Sequence, residues 1–380
     1  MKTPTSADST PAFQGLTVLD LSQGIAGPYC GLILGQQGAR VIKVEPPDGD
    51  WARQMGRARD GLSAIAVAYN AGKQSVMLDA RTDEGRRAIR GLAARADVVI
   101  QSFRPGVAER MNMGYESLAA ANPALVYVSI SGYGADGPLA HLPAVDTTMQ
   151  AYGGLMQANR DTAGQPRRIG LLLIDLSTGL YAAQAAAAAL HGAARSGAGR
   201  HVQVSMLEAS AALQSYLLLD QAMFPDEEPV GLNAPTGQFQ TQTGLGYMAM
   251  LNDAMFLRLA DALGFDDWRQ DTVLHSTAGR LGRAAELSAR VAAALACESL
   301  AHWEAVFRRH DILFSRVGGV EDLLDCPQSR HAGLFVELEQ GALGSLPWVR
   351  LPGVPVASGS PAAAPRTGEH TQAVLTEFGL

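Results

Sequence analysis

Residues 16–50 read LTVLDLSQGIAGPYCGLILGQQGARVIKVEPPDGD, and the architecture follows from them. Leu16–Leu21 is an apolar run of the kind a buried strand needs, and a glycine corner, Gly24-Ile25-Ala26-Gly27-Pro28, turns the chain. A helical stretch from Tyr29 to Gln37 stops at Gly38, and a second apolar run, Val41–Val44, ends on Glu45. Strand, turn, helix and strand in this order make a βαβ unit, the seed of a parallel sheet. Downstream the alternation continues. Ser75–Leu78 reads as a strand, and Thr82 caps a helix that carries Asp83 and Glu84 in its first turn. Asp97–Ile100 is a further strand closed by Arg104-Pro105-Gly106, and Leu125–Ile130 another that ends in Ser131-Gly132-Tyr133-Gly134. The expectation is a large, doubly wound, Rossmann-like α/β domain.

From Asp175 to Ala194 the chain turns alanine-rich and helical, and a second helix is expected over Val204–Met223. Residues 225–244, rich in Pro, Gly, Asn and Gln, read as linker and loop. Residues 245–329 read as a smaller α+β domain, with helices over Phe256–Leu263, Ala284–Ala294 and Leu300–Arg308. The proline-dotted tail and a last helix from His370 return to the large domain, which then comprises 15–224 and 330–380, behind a disordered leader, 1–14.

Composition narrows the function. The 380 residues carry a formal charge of −7, which disfavours a phosphate-backbone binder, and 6% aromatics, too few for stacking single strands. No nucleic-acid partner is expected. Cys30, Cys297 and Cys326 stand far apart with no CxxC, which argues against a disulfide scaffold or a zinc site and fits a reducing compartment. The polar first residues lack a signal pattern, and the apolar run Leu180–Leu190 is too short to cross a bilayer, so a cytoplasmic protein without a membrane partner is expected. Only three of the 30 basic residues are lysines, Lys2, Lys43 and Lys73. Where arginine is the default base, an internal lysine marks either a site that wants a compact ammonium or a residue of codon bias.

The glycine corner with Glu45 some way beyond it invites a dinucleotide reading. The corner is G-x-x-G-P, however, and Pro28 removes a helix-start amide that a pyrophosphate would use, so NAD and FAD are disfavoured.

The same opening resembles that of the class III CoA-transferases, the group of formyl-CoA transferase and carnitine CoA-transferase. The resemblance persists in NAGKQSVMLDARTDEGR (70–86), ADVVIQSFRPGVAERMNMGYESL (96–118), NPALVYVSISGYGADGP (122–138) and DTTMQAYGGLM (146–156). It continues through IDLSTGLYAAQAAAAAL (174–190), GRHVQVSMLEA (199–209) and GEHTQAVL (368–375), and so spans nearly the whole chain from Gly15. It implies an interlaced homodimer that takes acyl-CoA and a small carboxylic acid as substrates, with no permanently bound cofactor and no metal.

Arginine forks suit the phosphates of CoA, and apolar ledges suit its adenine and pantetheine arm. By resemblance Leu78, Arg81, Phe103, Val107 and Arg110 fall on positions that line the CoA site. Ser102 stands where family members carry Asn, Arg104 is adjacent, and Ile25 and Ala26 lie where the backbone approaches the thioester. Solvated surface roles stay open for Arg104 and Arg110. Asp175, at an expected helix start, reads on its own as an N-cap; the resemblance assigns it the nucleophile, which forms an acyl anhydride and then a CoA thioester. Amides near that helix start would stabilise the oxyanion. The alternative activity is that of the related α-methylacyl-CoA racemases, whose acid/base histidine is replaced here by Val145, next to Asp146. Succinyl-CoA is the expected donor. Residues 231–244 match a segment that forms a glycine-rich lid in some relatives, but contain no glycine run.

Overall fold

Strand β1 (Thr17–Asp20), the helix Ala26–Gln36 and strand β2 (Arg40–Glu45) form the βαβ unit that residues 16–50 predict. These elements belong to a computed structural model that describes residues 10–161, 163–227, 230–354 and 360–380. A hairpin follows, β3 (Ala58–Arg59) and β4 (Leu62–Ser63), and then β5 (Gln74–Met77), β6 (Val98–Gln101), β7 (Val126–Ser131) and β8 (Arg200–Ser205). Six parallel strands stand in the order β5-β2-β1-β6-β7-β8. The chain winds outward from β1 through β2 to β5 and then restarts on the other side at β6. This reversal opens a crevice at the carboxyl ends of β1 and β6, where sheets of this kind bind ligands.

Helices cover both faces, which is why the strands are apolar throughout rather than alternating. Leu19, Ile42, Val76 and Val99 pack with Ile89 and Leu92 of the helix Asp83–Ala93 and with Val374 and Phe378 of the last helix, Thr371–Phe378. On the other face Val18, Val41, Val98 and Val128 meet Cys30 and Leu34 of the first helix and Ala182, Ala186 and Ala189 of the long helix Leu173–Ser196. Small alanines let that helix approach the sheet closely. At 24 residues it is long and apolar enough to span a membrane, contrary to the length read from the sequence, yet its inner face is packed on the sheet and the first helix.

Three readings need correction. The first helix starts at Ala26, three residues early, because Pro28 falls in the first turn, where no amide is required. No single helix covers 204–223. Val202 and Val204 alternate with His201 and Gln203 in β8, and two helices follow, Met206–Leu213 and Ser215–Met223. The break is set by Ser205, whose Oγ accepts from the Glu208 amide at 3.1 Å while the Glu208 carboxylate accepts from the Ser205 amide at 2.8 Å. Residues 1–9 of the expected leader lie outside the described residues, and Phe13 is anchored by its amide to the Gln37 carbonyl at 2.9 Å.

By contacts the chain divides into one unit that ends at Leu218 and resumes at Arg330, and a second unit, Leu219–Ser329. The second unit holds an antiparallel sheet of β9 (Gly237–Gln240), β10 (Leu245–Ala249) and β11 (Leu313–Arg316), so the segment expected to be linker and loop contains a strand. Its core joins Phe256, Trp268, Leu287 and Phe307. Back in the first unit, β12 (Phe335–Glu339) and β13 (Ser345–Val349) pair antiparallel.

Beneath the glycine corner lies a buried set of three acids and three bases: Asp20, Glu45, Asp50, Lys43, Lys73 and Arg53. Lys73 reaches Asp20 at 3.0 Å and donates to the Pro28 carbonyl at 2.7 Å. Lys43 reaches Asp50 at 2.9 Å and donates to the Ser22 carbonyl at 2.7 Å. Glu45 takes both arms of Arg53 at 2.6 Å and the Ser75 hydroxyl at 2.6 Å, so it is not free to hold a ribose. Burial alone would push the Asp20 carboxyl up, but Lys73, Lys43 and the Ser22 hydroxyl outweigh it and hold it below the usual carboxylate range. Burial likewise pulls down on the Lys43 ammonium, and Asp20, Asp50 and Glu45 reverse the effect. The internal lysines therefore do take sites that want a compact ammonium.

Removing one charge from this balanced set leaves an unpaired buried ion. Lys43→Met is expected to cost about 3–5 kcal/mol in urea unfolding. A loss under about 0.5 kcal/mol, that of a neutral surface change, would show the set to be dispensable.

Candidate active site

The crevice at the switch point is a cleft of about 760 Å³. Its walls are the turns after β1, β6 and β7, the segment that leads into the helix Asp146–Tyr152, and the start of the long helix. Two glycines make the first turn possible. A Cβ on Gly24, which has φ +81°, would lie 2.3 Å from the Trp51 ring, and one on Gly27 would lie 2.1 Å from Ser22 Oγ. Asp50 accepts from the Gly24 amide at 3.0 Å and Ser102 Oγ from the Gln23 amide at 3.2 Å, so the turn is tied both to the ionic set and to the β6 loop.

Asp175 lines this cleft as the third residue of the long helix. Its carboxylate accepts no hydrogen bond among the described residues. Asp146, itself 2% exposed, accepts from the amides of Ile174 at 2.8 Å and Asp175 at 3.1 Å, and from Gln150 Nε2 at 2.7 Å. One carboxylate thus caps the helix that presents the other. Burial, and then the like charge of Asp146, push the Asp175 carboxyl up to about 7. Acid and carboxylate forms of Asp175 are therefore both populated near neutral pH. The Ile174 and Asp175 amides at this helix start are already occupied by Asp146, which removes these two as the oxyanion donors the sequence suggested. The hydroxyls of Ser177 and Thr178 bond back to the Ile174 carbonyl at 3.1 and 2.6 Å. Among the described residues the first-turn amides of Ala26 and Gly27, which line the cleft, have no hydrogen-bond partner.

Of the residues singled out from the sequence, Ile25, Ala26, Ser102, Phe103, Arg104, Val107 and Asp175 line the cleft together. Leu78, Arg81 and Arg110 do not. Leu78 follows β5 and packs in the same apolar cluster as Phe103, further along the carboxyl edge of the sheet. Arg81 is exposed and its fork is held by Asp79 at 2.8 and 3.0 Å, whereas Arg104 and Arg110 form no ion pair among the described residues. Ser102 already accepts from the Gln23 amide, which leaves its O–H and one lone pair to offer a ligand. Within residues 231–244, Gly237–Gln240 forms β9, and the turn into β10 is closed by Thr241 Oγ1 on the Gly244 carbonyl at 2.7 Å.

Sequence reasoning missed Trp51, Gln23 and the capping role of Asp146. Trp51, one of only four tryptophans, is half exposed directly after the Asp48-Gly49-Asp50 turn, and that placement was the available signal. Val145, also half exposed, lines the cleft with an apolar side chain, and His141 is an exposed loop residue. Among the described residues no three His, Cys, Asp or Glu side chains converge as a metal-binding group.

Because burial, and then Asp146, raise the Asp175 carboxyl, chemistry that needs the Asp175 anion should rise with pH through about 7 and level off above it. Asp146→Asn keeps a carbonyl oxygen for the two amides and removes the like charge. The midpoint of the pH–rate profile should then move down towards the ordinary carboxylate range. An unchanged midpoint would show that Asp146 acts on Asp175 only as a structural cap.

Comparison with known proteins accords with this geometry. The description of CoA-transferase family III matches residues 13–371. The chain is 35% identical to the acetyl-CoA:oxalate CoA-transferase of Acetobacter aceti, over 87% of this chain and 88% of that one. It is 32% identical to the succinate–glutarate CoA-transferase of Agrobacterium fabrum, over 97% and 96% of the two chains. Among solved structures, a CAIB/BAIF family protein from Brucella suis superposes with a TM-score of 0.86 at 29% identity, covering 97% of this chain and 100% of that one. An aspartate-to-alanine mutant of Rv3272 from Mycobacterium tuberculosis gives 0.87 at 28% identity, over 97% and 99%. A match of this extent, over a fold that carries its cleft at the switch point, places the chain in CoA-transferase family III, as a CoA-transferase.

Proposed function

We propose that CoA passes from an acyl-CoA donor to a carboxylic acid acceptor through covalent intermediates on Asp175. The observation that carries this reading is a half-buried carboxylate with no hydrogen-bond partner among the described residues, poised near neutrality, that opens on the cleft. In its ionised form an Asp175 oxygen attacks the donor thioester carbonyl. The tetrahedral oxyanion faces the Ala26 and Gly27 amides, and collapse expels CoA thiolate to leave a mixed anhydride. The thiolate then attacks the Asp175 carbonyl carbon, which releases the donor acid and forms an aspartyl-CoA thioester. The acceptor carboxylate attacks that thioester, CoA thiolate leaves again, and a second anhydride forms. Attack of the thiolate on the acceptor's acyl carbon yields the new acyl-CoA and restores the Asp175 carboxylate.

Ile25, Ala26, Ser102, Phe103, Arg104 and Val107 would hold the reactive end of CoA in the cleft. Leu78, Arg81 and Arg110 would meet its nucleotide end along the sheet edge. A succinyl donor accords with relatives named succinyl-CoA:glutarate and succinyl-CoA–D-citramalate CoA-transferase. A homodimer would cover the apolar side chains that the first unit exposes at Leu180, Leu213, Tyr216 and Leu218. Free cysteines at 30 and 297 accord with a cytoplasmic setting. The second reading, racemisation, is disfavoured because the cleft presents Val145 where a proton carrier is needed and commits Asp146 to the helix cap.

Two expectations follow for this site. Asp175→Ala should abolish transfer while CoA affinity stays intact, and acyl-CoA alone should leave the wild-type peptide around Asp175 open to hydroxylamine trapping. Transfer within about tenfold of wild type, ~1.4 kcal/mol in barrier, would sink the nucleophile. Rapid α-deuterium uptake without an acceptor acid would make the enzyme an isomerase. Secondly, Arg104→Ala and Arg110→Ala should each weaken CoA binding by about 1.5–3 kcal/mol. Arg81→Ala should do less, because its fork already serves Asp79. Calorimetry that shows Arg81 as the dominant loss would reverse this order.

A further inference from the structure

Gln150 is fully buried on the helix Asp146–Tyr152, one turn after Asp146, and both ends of its amide are committed. Nε2 donates to Asp146 Oδ1 at 2.7 Å and to the Leu171 carbonyl at 3.0 Å, and Oε1 accepts from the Ile169 amide at 2.9 Å. A glutamine amide offers two protons and one carbonyl oxygen, and here each meets a partner of the right kind. Turning the amide over would set its oxygen against the Asp146 carboxylate, so its orientation is fixed.

Two structures converge on this amide. The first is the strap, residues 168–171, that leads into the long helix. Among the described residues its backbone hydrogen bonds go to Gln150 and to no other group. Apolar packing anchors only part of it: Ile169 joins the cluster of Met149 and Ile174, whereas Leu171 is 63% exposed. The second is the cap. Asp146 Oδ2 takes the amides of Ile174 and Asp175, and Oδ1 takes Gln150. A carboxylate held at one oxygen can pivot, and one held at both cannot. Gln150 thus reaches Asp175 by two routes, through the Asp146 cap and along the chain from Leu171.

We propose that Gln150 is a positioning residue for Asp175, a clamp that holds the incoming strap and the Asp146 carboxylate together so that the helix presents Asp175 to the cleft in one arrangement. Gln150 touches no reacting atom, and the assignment rests on Asp175 as the reacting group. Both causes that raise the Asp175 carboxyl depend on the clamp: burial needs the strap in place, and the like charge needs Asp146 at the helix start. Two other ionisable groups stand near Asp175. One is Tyr69 of the helix Ala64–Asn70, whose phenol is pushed up by burial, then by Tyr29 and Asp175; the other is Arg104, which lines the same cleft. Neither bonds to Gln150, to Asp146 or to the strap among the described residues.

The test is Gln150→Met, which keeps the length and apolar stem of the side chain and removes its polar contacts. It is read by the pH–rate profile of acyl transfer, by calorimetry of CoA binding and by thermal melting. Transfer should fall by about ten- to hundredfold, the cost of a misplaced reacting group, while CoA affinity is retained. The midpoint of the profile should move down from about 7 towards the ordinary carboxylate range. In an Asp146→Asn background the same substitution should move the midpoint less than it does alone, because the charge it displaces is already gone. Gln150→Asn, whose amide stops one methylene short of its partners, should show the same shift in smaller measure and replaces the methionine variant if that one does not fold. A lower melting temperature with rate and midpoint unchanged would assign Gln150 to the fold alone and overturn the proposal, as would midpoint shifts that simply add with Asp146→Asn, or failure of both variants to fold. Full transfer by Asp175→Ala would instead refute the reading beneath the proposal, whatever Gln150 does.

Discussion

Everything at the carboxyl edge of the sheet depends on six buried charges that must pair with one another. Asp20 ends β1, Lys43 and Glu45 lie in β2, Lys73 precedes β5, and Asp50 and Arg53 sit in the loop between β2 and β3. Buried as they are, each is satisfied only when the strands are in register and the loop is closed. The same atoms that satisfy the charges hold the glycine corner, through the Ser22 and Pro28 carbonyls and the Gly24 amide. An ionic set of this kind adds little net stability compared with a well-packed apolar one, but it makes alternative positions of the corner costly. The cleft therefore inherits its shape from electrostatics several residues away from any ligand.

A second constraint is layered on the first. The long helix must begin at Leu173 for Asp175 to face the cleft, and its start is set by the Asp146 carboxylate, not by a local cap. The cap brings a like charge close to Asp175, and burial does the rest. Fold and reactivity are coupled here through one group: the interaction that positions the aspartate also raises its affinity for a proton. On the proposed covalent route, acylation would neutralise an anion that its pocket disfavours.

The parallel architecture was legible because the strands are short apolar runs bounded by glycine turns, and that period survives burial on both faces. β8 was not, since Arg200, His201 and Gln203 dilute its alternation and the helix-forming residues from Met206 onward dominate the window. For the site, Ser102, Phe103, Arg104 and Val107 are adjacent in sequence and arrive together at one strand end, so a local reading finds them. Trp51 and Asp146 meet the same cleft from the connection after β2 and from the helix Asp146–Tyr152. Only the sheet order brings these together, and no spacing in the sequence encodes it. The lysines show the opposite case, where rarity in an arginine-rich chain pointed to Lys43 and Lys73 but could not say whether they serve a ligand or the fold.

That rarity has a chemical consequence. Thioesters acylate free amines, and a CoA-transferase is exposed to its own substrates. Both described lysine ammonium groups are sealed in the sheet edge, 1% and 3% exposed, with Lys43 held charged by its acidic neighbours. The outer surface carries its positive charge as guanidinium, which stays protonated and is a poor nucleophile. Apart from Lys2, which lies outside the described residues, the chain therefore shows acyl donors no solvent-facing side-chain amine, and its cationic surface is inert to the electrophiles it is built to move.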